Sequence, residues 1–386
     1  MTAMPRLLFV DDEPRILEGI ENALFDHPEW DATFVTSGDA ALTVLRGAPA
    51  FDVLITDMRM PGMDGLDLLH HVLHGYPHMM RVVLSGDAEM QRAMQALSIA
   101  HQYLAKPCDE EALVKTIQRA LRIRTVVSDD QLRRRLGMIS ETPHDRQWLR
   151  HVRELAVDPE ASISEVARAV AADVGLATKI VQAASSVIFG GAKVTTVAAA
   201  VQRIGLDGVC ALALAMELYS RLPISNAFLE DRERCMQIAG IAAAICTAPE
   251  VGEQAYLCAL LHDLGTLTLR SQLPERFDRC TALRAETGQS LVDIEHAEFG
   301  IDHAVLAAEI LELFQMTEVA NVVRYHHRPS ASARTGRVDA LAALHIAEAV
   351  YDESIGLAPD LDADFLDALG PLAEMTLFRA RRLARS

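Results

Sequence analysis

The chain has 386 residues, of which 50% are apolar and 23% are charged. This length predicts two or three domains, because single hydrophobic cores stop growing well below it, and the composition excludes wholesale disorder. The formal net charge is −18, so the overall field of the protein disfavours nucleic acid and anionic lipid as partners.

The six cysteines are isolated and form no C-x-x-C pair, which favours reduced, buried thiols in a cytoplasmic protein. The N-terminal residues are acidic and lack the apolar stretch of a signal peptide. The longest apolar run, around Val197–Leu214, is interrupted by Gln202, Arg203 and Asp207. We therefore expect no membrane span and a cytoplasmic location.

Short apolar runs alternate with helical patterns over the first 125 residues. Pro14–Phe25 has helical spacing, and Ser37 is placed to cap a helix that continues to Leu45. This alternation predicts an α/β fold with a doubly wound, five-stranded parallel sheet. The five predicted strands are Arg6–Val10, Ala32–Thr36, Phe51–Thr56, Arg81–Leu84 and His101–Leu104.

Polar groups follow four of these strands: Asp11 and Asp12, Asp57, Ser85, and Lys106. Each acidic residue alone could simply cap the next helix. In a parallel sheet, however, the carboxyl ends of the strands form one ligand-binding edge. Clustered carboxylates need a cation among them, and oxygen ligands suit Mg²⁺. A lysine and a hydroxyl nearby could hold phosphoryl oxygens, which indicates a phosphoryl-transfer site with a carboxylate nucleophile.

The motifs at these positions are VDDEP, TDMRMPGMDG, LSGD and YLAKP. As a set, over about residues 5–122, they resemble the receiver domain of two-component response regulators. The resemblance implies that Asp57 accepts a phosphoryl group from a sensor histidine kinase. It also implies a switch aromatic at Tyr103 and a cis peptide bond before Pro107.

The same resemblance implies a ligand set for Mg²⁺ and for the phosphoryl group. Mg²⁺ would be held by Asp12, Asp57 and the backbone carbonyl of Arg59, with Asp11 acting through water. Ser85 and Lys106 would contact the phosphoryl oxygens. All of these motif positions are present, so nothing in the receiver sequence argues against phosphorylation.

Residues Glu111–Leu136 have the pattern of one long helix that contains six arginines. We favour a solvated helix with basic faces. The alternative is a lever or a dimer coil that carries the signal onward, although the stretch past the receiver holds too few heptads to indicate a coiled coil. Asp129–Asp130 is the position where a break is expected.

The region from residue 137 to about residue 350 has helical patterns throughout. They predict an all-α domain of about eight to ten helices. Its chemistry is concentrated in histidines: His262–Asp263 in an apolar helix, His303, the pair His326–His327, and His345 near Glu348. Together they could supply imidazole and carboxylate ligands for a transition metal. Any single histidine among them is more often a hydrogen-bonded core residue.

Residues 140–330 resemble the HDOD domain, a branch of the HD superfamily of metal phosphohydrolases. The segments that carry the resemblance are DVGLATKIVQAASSVIFG, VTTVAAAVQRIGLDGVCALAL, LHDLGTL, FGIDHAVLAAEIL and YHHRP. HDOD domains are generally regarded as output modules without established catalysis. The resemblance therefore implies a helical signalling module.

Three departures separate this chain from active HD hydrolases. Arg234 or Cys235 stands where a metal-binding histidine is expected, HHRPSASARTG lacks the GYP segment, and Glu348 replaces a late aspartate. An arginine there would repel a cation. A possible vestigial site remains at His262, Asp263, His303, His326, His327, Glu348 and Arg234. It could be a hydrogen-bonded network, a residual metal site or a pocket for an anion.

We divide the chain into a receiver (1–122), a helical linker (123–138), an HDOD domain (139–350) and a helical extension (351–386). Gly370–Pro371 is expected to split the extension into two helices. The arginines at its end are explained better by a favourable interaction with the helix dipole than by a nucleic-acid-binding patch.

Two functions follow. The first is a response regulator in which phosphorylation of Asp57 switches a non-catalytic HDOD module that binds an unknown protein or a small ligand, or forms a homodimer. The second is a phosphorylation-gated metal phosphohydrolase, similar to a cyclic dinucleotide phosphodiesterase. A DNA-binding regulator is a distant third. Mg²⁺ is the expected cofactor, and a transition metal in the HDOD domain is the less favoured addition.

Overall fold

The computed structural model describes residues 4–47, 50–86, 90–140, 146–186, 189, 193–219, 226–332 and 337–384. A few side chains within these ranges, including that of Ser85, lie outside the description.

The N-terminal part is an α/β domain built on a parallel sheet with strand order β2-β1-β3-β4-β5. The predicted doubly wound, five-stranded sheet is confirmed. The strands are β1 (Arg6–Val10), β2 (Asp31–Val35), β3 (Val53–Asp57), β4 (Met80–Ser85) and β5 (Gln102–Ala105). The helices are α1 (Pro14–Ala23), α2 (Gly38–Gly47), α3 (Gly65–Gly75), α4 (Met90–Ile99) and α5 (Glu110–Val126).

Helix starts in this domain follow from their capping residues. The Ser37 hydroxyl accepts the amide of Ala40 at 3.2 Å, as its sequence position predicts. The Asp109 carboxylate caps α5 through the amide of Ala112 at 2.6 Å. Every residue of β3 is buried, because helices cover both faces of the sheet.

The predicted long helix Glu111–Leu136 is wrong as a single element. Helix α5 ends at Val126, and a short helix, α6 (Asp130–Arg133), follows. The break falls at the expected position, because the Asp129 side chain accepts the amide of Leu132 at 2.8 Å and so starts a new helix.

Arg122, Arg134 and Arg135 are exposed, as the solvated face that we favoured requires, but two of these arginines also contact the helical domain. Arg122 Nε lies 2.9 Å from the Glu309 carboxylate of the helical domain. Arg135 donates to the carbonyl of Gln272 at 2.7 Å. These two side chains therefore connect the linker region to the helical domain.

The C-terminal part is all-α, as predicted, but its described residues form twelve α-helices up to Ser354 rather than eight to ten. The difference arises where helices succeed one another with no loop, as at Leu273. The helices are α7 (Arg146–Ala156), α8 (Ile163–Ala171), α9 (Val174–Ser185), α10 (Val197–Tyr219), α11 (Asn226–Ile245), α12 (Pro249–Leu261), α13 (Leu264–Gln272), α14 (Pro274–Thr287), α15 (Leu291–Phe299), α16 (His303–Leu313), α17 (Thr317–Arg324) and α18 (Ala340–Ser354).

Two further helices, α19 (Ala363–Leu369) and α20 (Pro371–Leu383), complete the chain. They meet at Gly370, whose φ is 56°, at the predicted division. Helix α20 packs on α18 and α11.

Helix α10 is the central contact between the two parts of the molecule. It is kinked at Gly205, where φ is 73°, and it packs against α4, α7, α8 and α9. By length and composition alone, Val197–Glu217 could cross a membrane. In the structure this segment packs against four helices of the protein. The domain boundaries proposed from the sequence stay predictions, and α5 runs through the first of them at residue 122.

Candidate functional site

The carboxyl edge of the sheet brings together Asp11, Asp57 and Lys106. Asp11 follows β1, Asp57 ends β3 and Lys106 follows β5. The Lys106 ammonium lies 2.6 Å from Asp11 Oδ2 and 2.6 Å from Asp57 Oδ1. Burial alone would lower the pKa of Lys106, but its hydrogen bonds with the two carboxylates outweigh this and raise it. The lysine is therefore charged at neutral pH.

The donor set at this edge fits a divalent cation. The other Asp57 oxygen accepts the Arg59 amide at 2.9 Å, and Asp11 accepts the amide of Glu13 at 3.0 Å. Asp12 is half-buried and has no ion-pair partner among the described residues. Three carboxylates and one ammonium leave two formal negative charges on hard oxygen ligands, which suits Mg²⁺.

The structure also locates the predicted cis-proline, the predicted switch aromatic and the backbone of Ser85. The Lys106–Pro107 peptide bond is cis, and the Tyr103 side chain is 3% exposed. Ser85 ends β4 and pairs with Ala105 of β5, but its side chain lies outside the description. Its phosphoryl contact and the Mg²⁺ contact of the Arg59 carbonyl stay predictions.

In the helical domain, the sequence pattern predicted that the His262–Asp263 pair lies within one helix. This prediction is wrong, because the pair lies between two helices. His262 follows α12 as its C-cap, and Asp263 is the N-cap of α13. A Cβ on Gly265 would lie 2.0 Å from the carbonyl oxygen of His303. This glycine therefore permits the close approach of α13 to the start of α16, which places His303 Nε2 3.9 Å from Asp263 Oδ1.

Arg234 of α11 projects into this junction and contacts three carboxylates. Its guanidinium lies 2.5 Å from Asp263 Oδ2, 2.8 Å from Glu348 Oε1 and 3.2 Å from Asp352 Oδ1. One of its nitrogens is 3.4 Å from His262 Nε2. The guanidinium thus lies among His262, Asp263 and Glu348 and competes with a metal ion for these carboxylates.

The charges of this cluster stabilise one another. Burial would lower the pKa of Arg234, but Asp263, Glu348 and Asp352 outweigh it and raise that pKa well above its ordinary value. Burial would raise the pKa of Asp263, but His262 and Arg234 hold it well below its usual range. Asp352 differs, because burial raises its pKa more than Arg234 lowers it.

A second group consists of three imidazoles, His303, His326 and His327. Each offers one ring nitrogen, and the three nitrogens lie within 4.8 Å of one another. The Nε2 atoms of His303 and His327 are 2.8 Å apart. The buried Nε2 of His326 has no hydrogen-bond partner among the described residues. Burial, with the neighbouring His327, holds the pKa of His326 well below its ordinary value, so this nitrogen carries a free lone pair.

The opposite ring nitrogens of these histidines have partners that orient them. Nδ1 of His303 lies 2.6 Å from Glu295 Oε2, and Nδ1 of His326 donates to the carbonyl of Val323 at 2.6 Å. Nδ1 of His327 is 3.6 Å from the Asp360 carboxylate. Such partners fix ring orientation in metal-binding histidines.

His345, which we considered as a ligand, does not join the cluster. Its Nδ1 donates to the carbonyl of His326 at 2.7 Å, and its Nε2 accepts the amide of Asp362 at 3.0 Å. With both nitrogens used, it supports the backbone of His326 and is not a candidate ligand.

Sequence reasoning missed Glu295 and Asp352. Asp352 could have been found, because it lies four residues after Glu348 and so on the same helix face. Glu295 gave no comparable signal, since a turn separates it from His303.

The family models match two parts of the chain. Residues 7–118 match the response regulator receiver domain, and residues 143–329 match the HDOD domain. Both matches fall where the sequence motifs predicted them.

The curated relatives match only part of the chain. The chain is 30% identical over 172 residues to the C4-dicarboxylate transport transcriptional regulatory protein DctD of Rhizobium meliloti, covering 41% of this chain and 36% of that protein. It is 34% identical over 116 residues to the response regulator protein FleR of Pseudomonas aeruginosa, covering 30% and 24%. The chain therefore spans well under half the length of these relatives.

Two solved structures are also similar to parts of this chain. The signal receiver domain of an HD domain-containing protein from Pseudomonas fluorescens Pf-5 is 29% identical and covers 31% of this chain and 96% of that chain, with a TM-score of 0.30. The MmoQ response regulator of Methylococcus capsulatus is 22% identical and covers 63% of this chain and 96% of that chain, with a TM-score of 0.48.

Proposed function

We propose that this chain, a response regulator in which an HDOD domain follows a receiver domain, is a phosphorylation-controlled switch with a non-catalytic output module. Asp57 would accept a phosphoryl group from a sensor histidine kinase in the cytoplasm. Asp11, Asp12 and Asp57, with the Arg59 carbonyl, would hold Mg²⁺. The HDOD module would then change its binding of a protein or a small ligand.

The observation that carries this proposal is the shared use of α4 by the two domains. Helix α4 comes after β4, whose last residue, Ser85, lies beside Asp57's strand in the sheet. This helix also packs on α10 and α9 of the HDOD domain. A displacement that starts at the phosphorylation edge and moves α4 therefore has to change the domain contact.

A buried lysine makes this contact sensitive to small displacements. The Lys179 side chain of α9 is 1% exposed, and its ammonium donates to the carbonyl of Leu97 in the last turn of α4 at 3.3 Å. The next turn of α9 adds Gln182, which donates to the carbonyl of His101 at 3.0 Å. The ammonium also donates to Gln182 Oε1 at 3.1 Å. A shift of α4 that removed the Leu97 carbonyl would leave this buried charge with one acceptor fewer, which is costly.

At the receiver site, the chain's own groups supply positioning and charge. Lys106 is placed within hydrogen-bond reach of the nucleophilic carboxylate and can follow the phosphoryl oxygens once Asp57 is modified. Mg²⁺, when bound, would neutralise charge on the transferred group. Transfer of the phosphoryl group from a phosphohistidine to Asp57 Oδ forms an acyl phosphate and returns the histidine.

Arg234 supports the non-catalytic assignment of the HDOD module. It supplies a permanent positive charge to Asp263, Glu348 and Asp352. A metal at the same carboxylates would have to displace the guanidinium. Activation of water by two metals is therefore disfavoured in this chain.

Hydrogen exchange in the presence of Mg²⁺ and beryllofluoride tests the proposal on the full chain. We expect faster exchange in α4, α9 and α10 after loading, and no change in Asp57→Asn, which cannot form the same adduct. Unchanged exchange in these helices, with the adduct demonstrated at Asp57 by ¹⁹F NMR, would overturn the proposed coupling.

A metal phosphohydrolase is the second candidate, and the convergent imidazoles of His303, His326 and His327 favour it. A transition metal held there would lower the pKa of a bound water. The test is metal content after reconstitution with Mn²⁺ or Fe²⁺, together with turnover of cyclic and linear dinucleotides. Turnover that is lost in His303→Ala would establish this function. A protein that binds no metal and shows no turnover would contradict the hydrolase and leave signalling as the remaining candidate function.

A further inference from the structure

A small cavity lies where α5 of the receiver meets the HDOD domain. Its volume is about 180 Å³. Arg119 of α5 lines it from the receiver, and Ser185, the last residue of α9, lines it from the HDOD domain. The other lining residues are Lys193, Val194 and residues 315–319, where α16 passes into α17. Both domains therefore build this interdomain cavity.

The side chains that line the interdomain cavity carry a net positive charge, although the whole chain has a net charge of −18. Arg119 is half-buried and has no ion-pair partner among the residues that the structure describes. Lys193 pairs with Glu318 at 2.7 Å, and this pair adds no net charge. The charge of Arg119 is therefore left to favour an anion as the ligand.

A buried hydroxyl in the same cavity also indicates a ligand. Ser185 is 4% exposed, and its side chain makes no hydrogen bond to any described residue. Thr178, on the same helix, shows the usual alternative, because its hydroxyl donates to the carbonyl of Val174 at 2.7 Å. Burying a hydroxyl without such a bond is costly. An anion in the cavity would accept a hydrogen bond from it.

The N-terminus of α17 adds backbone donors. This helix begins at Thr317 without a side-chain cap. The amides of Thr317 and Val319, two residues that line the cavity, donate to no acceptor in the described part of the chain. Amides in the first turn of a helix bind phosphate and carboxylate groups, because they carry a partial positive charge.

The turn before α17 keeps a polar side chain at the cavity at a conformational cost. Gln315 has a φ of 63° and is the one non-glycine residue with a positive φ within the described ranges. Glycine adopts this left-handed conformation freely, whereas other residues are strained in it. The side-chain amide, which a glycine would lack, is therefore the feature that the strain retains.

We propose that the interdomain cavity binds a phosphate group, either as free phosphate or as the end of a small phosphomonoester. The Arg119 guanidinium, the Ser185 hydroxyl and the first amides of α17 supply its hydrogen-bond donors. A phosphate offers more acceptor oxygens and more charge than a carboxylate, and arginine can bind it in a bidentate manner. The site shares no residue with the edge at Asp57, so it is independent of the function proposed above.

Isothermal titration calorimetry of the full chain tests this site, with inorganic phosphate as the probe and EDTA present to remove Mg²⁺. The natural protein should bind phosphate. Arg119→Met should weaken binding by about tenfold or more, because a charge-assisted hydrogen bond is lost, and Ser185→Ala should weaken it by several-fold. Lys115→Met is the matched control, since Lys115 lies one turn earlier on α5, is exposed and pairs with Glu111. It should leave the affinity unchanged.

Gln315→Gly separates binding from folding. It removes the side-chain amide but relieves the left-handed backbone conformation, so the free energy of unfolding should not fall. The affinity for phosphate should nevertheless decrease by several-fold. Weaker binding in a variant of undiminished stability cannot result from unfolding.

Adenosine monophosphate is the second probe and distinguishes the two sources of the phosphate group. Tighter binding than inorganic phosphate, again weakened in Arg119→Met, would assign the site to a phosphomonoester, and weaker binding would assign it to free phosphate. Three outcomes would overturn the proposal. They are natural protein that binds neither probe at millimolar concentration, binding that Arg119→Met and Ser185→Ala leave unchanged, and binding that Lys115→Met weakens as much as Arg119→Met does.

Discussion

Arg234 illustrates how a single side chain can decide the character of a site. It brings a protein-bound positive charge to carboxylates and a histidine that otherwise form a metal-binding pattern. The charge is covalently attached and cannot be removed by chelators. The cluster is therefore satisfied without a metal, and its stability depends on this residue.

Arg234→Met should destabilise the protein by about 3 kcal/mol, because it leaves buried carboxylates without their cation. The measurement is the free energy of unfolding by chemical denaturation. Arg168→Met is the control, since Arg168 is exposed on α8, and it should change stability by less than about 0.5 kcal/mol. Equal effects of the two changes would contradict the assigned role.

Gly137 connects the linker to the receiver through a close backbone approach. Its carbonyl accepts from the buried Arg81 at 2.7 Å. A Cβ at this position would lie 2.5 Å from the carbonyl oxygens of Met79 and Pro77. No flexible side chain is available to move aside.

Gly137→Ala should therefore cost about 1–3 kcal/mol of unfolding free energy through overpacking. Gly19→Ala offers a control within α1, where an added Cβ meets nothing within 4 Å. It should stabilise the protein by about 0.5–1 kcal/mol, the ordinary helix preference for alanine. A Gly137 variant as stable as the natural protein would contradict the close approach.

At the scale of elements, a fully buried histidine lies immediately before β5. His101 Nδ1 accepts the amide of Arg81 at 2.9 Å. Burial, with the charges of Arg81 and Lys179 nearby, holds the pKa of His101 well below the ordinary 6.5. The folded protein keeps this ring neutral, whereas the unfolded chain protonates it below pH 6.5.

Stability should therefore fall as pH decreases from 7 to 5, by up to about 1.4 kcal/mol per pH unit from this group. In His101→Asn that contribution is absent, and the dependence of unfolding free energy on pH should become shallower over the same window. Identical slopes in the two proteins would show that His101 is not the group responsible.

At the scale of the whole molecule, α4 contacts both domains, and the proposed switch requires that binding at one site affects the other through this helix. The buried Lys179 ammonium holds the last turn of α4 by its contact with Leu97. This contact favours the position of α4 seen here. A modification that moves α4 has to overcome it.

Lys179→Met should therefore raise the affinity for beryllofluoride, by several-fold, because less has to be broken on activation. ¹⁹F NMR titration in Mg²⁺ measures that affinity. The control is Lys193→Met, in which the lost lysine is 73% exposed, and no change is expected. Unchanged or weaker binding in Lys179→Met would contradict the coupling through α4.

The meeting of Asp11, Asp57 and Lys106 could be predicted from the sequence, whereas their roles toward Mg²⁺ and a phosphoryl group stay predictions. The carboxyl ends of neighbouring parallel strands always meet, so strand pattern alone places Asp11, Asp57 and Lys106 at one edge. Less of the helical domain could be predicted from the sequence. Helical pattern assigned its class, but the junction at His262–Asp263 and the number of helices depend on packing that periodicity does not reveal.

The local sequence pattern was sufficient to predict contacts whose geometry is set by secondary structure. Examples are the groups at the strand ends and the residues that cap helices. Tertiary structure alone decided that Arg234 meets Asp352, 118 residues away, and that Lys179 meets α4 across the domain boundary. Such contacts arise from the packing of separate helices. Their free energy depends on distance and burial in three dimensions, which residue order does not encode locally.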